Sequence, residues 1–315
     1  MFPRNNKVFT LVKWLIMSAA YGFLIYKLAH IEYWNELQAK FAEPDFYRTL
    51  ILIFVLLLMP INWMLETVKW QLLCKNTIKL SFSQALKSVL AGLNTGYISP
   101  NRIGDFVGRI LFFPSGKRVP GVFLSFLNSI SQNIVLTVLG IVAAFIYFSQ
   151  HPFLPSINSY FAAVGAGLLL VVVLYFAFPG VFSKLKKESW SEKLKSAIQG
   201  FSSFSSGELV SILGVSLVRY LVFCFQFYLM LRFFGIEINW TDAAITIPTM
   251  YLLITFTPSF AAAEPAIRGS IAVLIFSVYS QNEVEIILTG ILIWIINFVI
   301  PMIVGSVVVG KAKSL

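Results

Sequence analysis

Residues 99–109 read SPNRIGDFVGR, and residues 257–268 read TPSFAAAEPAIR. In both stretches a proline is followed five or six positions later by an acid, and an arginine comes four positions after that acid. Proline interrupts a helix, whereas an acid and an arginine four residues apart share one helix face and can form an ion pair. We therefore predict helix breaks at Pro100 and at Pro258, each followed by an ion pair.

These stretches interrupt a strongly apolar chain. It has 315 residues, of which 58% are hydrophobic and 12% are charged, and its mean hydropathy is +0.81. Soluble domains are about 45–50% apolar and about 25% charged, so a water-soluble globular fold is excluded. The composition predicts an all-α polytopic integral membrane protein. Six uninterrupted apolar runs are long enough to be full spans, and they lie at 8–28, 46–73, 120–149, 158–179, 208–234 and 284–310.

The distribution of lysine and arginine predicts the orientation of these spans. A cytoplasmic N-terminus places 16 of the 24 basic residues on the inner side and 4 on the outer side, as the positive-inside rule requires. This arrangement puts both termini in the cytoplasm and predicts location in the cytoplasmic (inner) membrane. The net charge of +10 then reflects orientation, and we expect no nucleic-acid partner.

The orientation also requires regions 82–113 and 241–281 to enter and leave the membrane on one side. Each region is then a broken or re-entrant hairpin. A helix over residues 101–113 reaches only about 20 Å, short of the bilayer's hydrocarbon core of about 30 Å, which favours the re-entrant form.

Two halves of the chain repeat the same order in opposite directions. Residues 1–157 comprise two spans, a hairpin and a third span, and residues 158–315 repeat that order inverted, within a single membrane domain. Interrupted segments at matching places in inverted halves point to the substrate site of a transporter. We therefore expect the site where the two hairpins meet.

Charged residues at the breaks are the candidate substrate-binding residues, because a charge at bilayer depth is costly and is usually retained for function. These candidates are Arg102, Asp105, Arg109, Glu264, Arg268 and Arg219. Glu66 and Lys69 are three residues apart and can pair on one helix face, whereas Arg219 needs an acid from another helix. The alternative is that the acid–arginine pairs are only structural salt bridges.

Catalytic and metal-binding motifs are missing from the sequence. It contains no GxxxxGK, GxSxG or HExxH motif, and its two cysteines and two histidines have no metal-ligand spacing. We therefore expect no enzyme activity, no cofactor and no metal site.

The two quoted stretches resemble the signatures of the lysylphosphatidylglycerol synthase transmembrane-region family, also called the flippase-like domain family. Residues 99–105 look like its first signature of proline, arginine, glycine and an acid, and residues 257–264 are similar to its second. Alanines occupy 261–263, where the second signature usually has glycines. The resemblance covers about residues 8–310. It implies a protein that moves lipids, often with charged or glycosylated headgroups, between leaflets.

The resulting hypothesis is a flippase-type transporter whose partners are membrane lipids. Arg102, Arg109 and Arg268 would contact an anionic headgroup, while Asp105 and Glu264 would orient these arginines or respond to protons. One alternative is a non-transporting membrane subunit that organises a cytoplasmic lipid- or glycan-modifying enzyme through the basic loop at 180–207. The other is a secondary transporter of a small anion.

Overall fold

The structure is a computed structural model that describes residues 45–99, 103–151, 158–184, 202–258 and 263–310, together with Tyr26, Lys195, Ile198 and Gly200. The predicted first span at 8–28 lies outside these residues apart from Tyr26, and so do Pro100 and Arg102. Most of the loop at 185–201 is also outside them.

The described residues form helices joined by short connections and contain no strand. The helices are α1 Phe46–Cys74, α2 Phe82–Ile98, α3 Gly104–Arg109, α4 Arg118–Gln150, α5 Asn158–Lys184, α6 Ser206–Phe233, α7 Trp240–Phe256, α8 Glu264–Phe276, α9 Glu283–Trp294 and α10 Ile300–Gly310. A 3₁₀ turn at Ser115–Lys117 precedes α4, and a π-helical turn at Ile295–Val299 joins α9 to α10.

Polar caps fix where several helices begin. Ser81 and Gln84 form a capping box at the start of α2, and Ser205 and Glu208 form another at the start of α6. The Asn239 side chain accepts from the backbone N–H of Asp242 at the start of α7. Such caps satisfy backbone N–H groups that have no partner within the helix.

Within the described residues, five helical segments are long and apolar enough to cross a membrane. They are Phe46–Cys74, Ser115–Gln150, Val164–Val181, Ser206–Phe233 and Glu283–Val308. Each matches one of the predicted full spans, so the prediction of an all-helical, polytopic membrane protein is confirmed. The chain is an integral membrane protein.

The first interrupted region folds back on itself. Helix α3 lies antiparallel against α2, and glycines on both helices allow the backbones to approach closely. A Cβ atom on Gly108 would overlap the Ala91 carbonyl oxygen, and one on Gly96 would lie 3.1 Å from the Asp105 Cβ. Helix α3 ends at Arg109 and is shorter than the predicted 101–113, and the Arg109 carbonyl accepts a hydrogen bond from the Ser88 hydroxyl.

Two long segments each contact both interrupted regions. On α4, Gly121 lies against the chain just after α3, and Gly140 lies against α7. In the final segment, Gly290 of α9 lies against α8, and Gly305 of α10 lies against α2. Each long segment therefore packs on the short helix of one region and the long helix of the other.

Buried apolar side chains form two clusters beside these contacts. One includes Trp70, Leu73 and Leu124 around α1, α2 and α4. The other includes Phe227 and Phe276 and contains residues of α1 and of the four helices α6, α7, α8 and α9. The polar residues described below lie beside the first cluster.

The close approach of α3 to α2 predicts that Gly108→Ala destabilises the protein. The added methyl group has no space against the Ala91 carbonyl, and overpacking of this kind costs about 1–3 kcal/mol. We expect a lower thermal unfolding midpoint in detergent. Gly214→Ala on α6 is the matched control, because no described atom apart from those of its own helix backbone lies within 4 Å of an added Cβ. Equal midpoints for the two variants would contradict the close packing.

Candidate functional site

Glu66 of α1 is the centre of a buried polar network. Its side chain is 3% exposed. Arg109 donates from Nη2 to Oε1 at 2.6 Å, and Asn128 donates from Nδ2 to the same oxygen at 2.8 Å. The other oxygen, Oε2, forms ion pairs with Arg219 Nη1 at 2.7 Å and with Lys69 Nζ at 3.1 Å. One carboxylate therefore joins helices α1, α3, α4 and α6.

Arg109 makes the predicted ion pair and two further contacts. Its Nε donates to Asp105 Oδ2 at 3.0 Å, which confirms the pairing expected from the four-residue spacing. Its guanidinium carbon also lies 5.2 Å from the centroid of the Trp70 ring, within reach of a cation–π contact. Two carboxylates and an aromatic face therefore hold this guanidinium in one orientation.

Arg219 of α6 obtains its partner from another helix, as the sequence required. Besides the ion pair with Glu66, its Nε donates to Asn62 Oδ1 at 2.7 Å. Its Nη1 also lies 3.3 Å from Gln132 Oε1, and the same oxygen accepts from Lys69 Nζ at 3.3 Å. The Glu66 carboxylate and the amides of Asn62 and Gln132 thus position both cations. Lys69 comes from α1 and Arg219 from α6.

The network contains more positive than negative charge. Lys69, Arg109 and Arg219 are cationic, whereas Glu66 and Asp105 are the anions that contact them. Among the described residues, these ionised groups leave one positive charge in excess. A buried excess charge of this kind attracts an anion that can enter the same space.

A partly open cavity of about 430 Å³ lies beside the network. The charged and amide side chains that line it are Glu66, Asp105, Arg109, Asn128, Gln132, Asn133 and Arg219. Among the described residues, Arg109 Nη1, Asp105 Oδ1 and Asn128 Oδ1 have no hydrogen-bond partner. Buried polar atoms usually have partners, so these atoms can bind a ligand that carries both acceptor and donor groups.

The second acid–arginine pair lies outside this cavity. Arg268 Nε is 3.9 Å from Glu264 Oε2, and that oxygen accepts from Trp294 Nε1 at 3.0 Å. Neither Glu264 nor Arg268 lines the cavity. The Arg268 guanidinium carbon instead lies 5.0 Å from the ring centroid of Phe298, and Phe298 does line the cavity. We expected both acid–arginine pairs to line one cavity, but of the two pairs only Asp105 and Arg109 line this cavity.

The remaining predicted residues are the two prolines at the helix breaks and the nearby Arg102. Helix α7 ends at Phe256, and Thr257 and the exposed Pro258 follow it, which confirms the second predicted break. The first break falls between Ile98 and Gly104, but Pro100 and Arg102 lie outside the described residues.

Sequence reasoning missed several members of the site. The spacing of Glu66 and Lys69 predicts a pair on one helix face but does not indicate that both belong to the site. Asn128 and Gln132 are four residues apart in an apolar run, and this polar stripe on one face of α4 is a signal that could have identified them. Phe298 lies in an apolar run next to Asn297, and a phenylalanine in such a run is not by itself a signal of a site.

Comparison with known proteins agrees with this architecture. The profile of the lysylphosphatidylglycerol synthase TM region matches residues 11–305. No curated protein and no solved structure matches the chain. The profile match includes every residue of the buried network and both interrupted regions. This integral membrane protein belongs to the lysylphosphatidylglycerol synthase transmembrane-region family.

Proposed function

We propose that the protein is a lipid transporter of flippase type that moves a lipid with a charged or glycosylated headgroup between leaflets. The observation that carries the proposal is the partly open cavity beside the Glu66 network, in which the described residues have an excess of one positive charge. A headgroup that leaves water loses its hydration, and preorganised charged and amide groups can replace it. The protein would bind and move the lipid without changing it chemically.

The inverted arrangement of two halves, at 1–157 and 158–315, is part of the proposal. Support comes from the reciprocal packing, in which α4 contacts α3 and α7 while α9 and α10 contact α8 and α2. Further support comes from helix length. At 1.5 Å per residue, the six residues of α3 extend about 9 Å and the 13 residues of α8 about 20 Å, both shorter than a bilayer core. We therefore propose that both interrupted regions are re-entrant.

An apolar groove favours a lipid over a small soluble anion as the substrate. The groove, of about 460 Å³, lies between α4, α6 and α7. Gln132 lines the polar cavity, and Leu139, seven residues along the same face of α4, lines the groove. This spacing corresponds to about 10 Å along the helix. An amphiphile can thus place its headgroup in the cavity and an acyl chain in the groove.

The membrane that holds the protein, and the orientation of the protein in it, are also part of the proposal. The excess of lysine and arginine on one side of the predicted spans supports location in the cytoplasmic membrane with both termini inside. Its partners would then be the lipids of that membrane.

Leaflet exchange by the purified protein in liposomes tests the proposal. A fluorescent anionic phospholipid placed in both leaflets is reduced from outside by dithionite, and the reduction of the inner pool reports exchange. Arg219→Gln should slow exchange about tenfold or more, because a charge-assisted contact to a buried group is worth about 1.5–3 kcal/mol.

Arg232→Gln is the matched control for this test, because Arg232 lies on the same helix but does not line the cavity. We expect it to exchange lipid at the wild-type rate. Wild-type protein that exchanges no lipid above protein-free liposomes would refute the proposal. Uptake of the water-soluble headgroup alone would instead identify a transporter of small anions.

A further inference from the structure

One aromatic ring touches both acid–arginine sites. Phe298 lines the polar cavity with Arg109 and Arg219. The ring centroid also lies 5.0 Å from the guanidinium carbon of Arg268, which does not line that cavity. This distance is within the range of a cation–π contact. The ring therefore contacts the cavity on one side and the second arginine on another.

The backbone that carries this ring is a π-helical turn. The turn spans Ile295–Val299, between α9 and α10. Single π-helical turns inside longer helices are frequent at functional sites, because they interrupt the regular backbone hydrogen bonds. Within the turn, the buried Asn297 side chain donates to the Ile293 carbonyl at 3.2 Å.

The turn also divides the contacts of this long segment between the two interrupted regions. Before the turn, Trp294 donates to Glu264 at the start of α8. After it, the Met302 carbonyl accepts from Asn94 of α2 at 3.3 Å. A rotation of the backbone at this turn would therefore shift one interrupted region relative to the other and move Phe298.

We infer that Phe298 is a gate between two anion positions, one at Arg109 and Arg219 and the other at Arg268. This inference rests on the proposed transport of a lipid headgroup. In the closed position the ring lies against the Arg268 guanidinium and forms part of the cavity wall. When the ring turns away, the headgroup phosphate can leave the first two arginines and bind Arg268, whose planar donors suit a phosphate.

Accessibility of position 268 tests the gate without measuring transport. In a Cys74→Ser/Cys224→Ser background, Arg268→Cys provides one thiol for a charged, membrane-impermeant thiosulfonate reagent. We expect Phe298→Ala to accelerate labelling roughly tenfold, because the ring no longer covers the site. Phe298→Trp should slow it below the rate with phenylalanine. Labelling rates that do not depend on the residue at position 298 would overturn the gate.

Lipid exchange supplies an independent measurement on protein that keeps its cysteines. Phe298→Ala should exchange the fluorescent phospholipid several times faster than wild type, an effect opposite to that of misfolding. Adding Arg268→Gln should abolish the gain, because the second anion position is lost. A Phe298→Ala variant that is folded by size-exclusion chromatography but no faster than wild type would overturn the gate.

Ile303→Ala, on an exposed face of α10, is the control and should match wild type in both measurements.

Two further results separate this inference from the proposed function. Labelling that depends on position 298 in a protein that exchanges no lipid would support the gate and refute lipid transport. A protein that exchanges lipid, but whose labelling rate does not depend on the residue at position 298, would support lipid transport and refute the gate.

Discussion

Glu66→Gln is expected to lower the stability of the folded protein by about 3–5 kcal/mol, the cost of breaking a buried ion pair. The Glu66 side chain is 3% exposed, and three cations lie within 3.1 Å of its oxygens. Glutamine has nearly the same shape but no charge. Lys69, Arg109 and Arg219 would then repel one another without the charge that lies between them, although Arg109 would keep its ion pair with Asp105.

Thermal unfolding in detergent measures this loss, which we expect to lower the midpoint by about 10 °C. Glu208→Gln is the matched control. Glu208 pairs with Lys75 at 2.6 Å, but these side chains are 24% and 43% exposed. Glutamine also preserves the capping box with Ser205, so only a surface pair worth about 0–1 kcal/mol is lost. Similar midpoints for both variants would show that the Glu66 network does not stabilise the fold.

Arg109→Lys is expected to reduce lipid exchange at least about tenfold although the positive charge remains. The guanidinium reaches Glu66 from Nη2 and Asp105 from Nε while it lies over Trp70. A lysine ammonium cannot reproduce this planar arrangement. At least one charge-assisted hydrogen bond would be lost, at about 1.5–3 kcal/mol, and the cavity would lose a fixed donor.

The exchange assay in liposomes measures this effect, with Arg118→Lys as the control. Arg118 is exposed and donates from Nε to the Phe113 carbonyl at 3.1 Å. Its replacement should leave exchange at the wild-type rate. Wild-type exchange by the Arg109→Lys protein would mean that charge alone matters at this position, and the proposed geometry of the site would be wrong.

The sequence alone determined the features that depend on local spacing. Apolar runs predicted five helices that the structure contains, proline marked the break after α7, and the four-residue spacings identified both acid–arginine pairs. The motifs also indicated the family that the profile match confirms. These features follow from helix length and periodicity, which a sequence carries directly.

The tertiary structure decided which charges meet. Arg219 needed an acid from elsewhere, but only the packing of α6 against α1 identifies that acid as Glu66. Packing also places the Phe298 ring between the cavity and Arg268, so the two similar motifs have different surroundings. The contacts of Arg219 with Asn62 and Glu66 join residues more than 150 positions apart, and their geometry depends on how helices pack, which local sequence spacing does not specify.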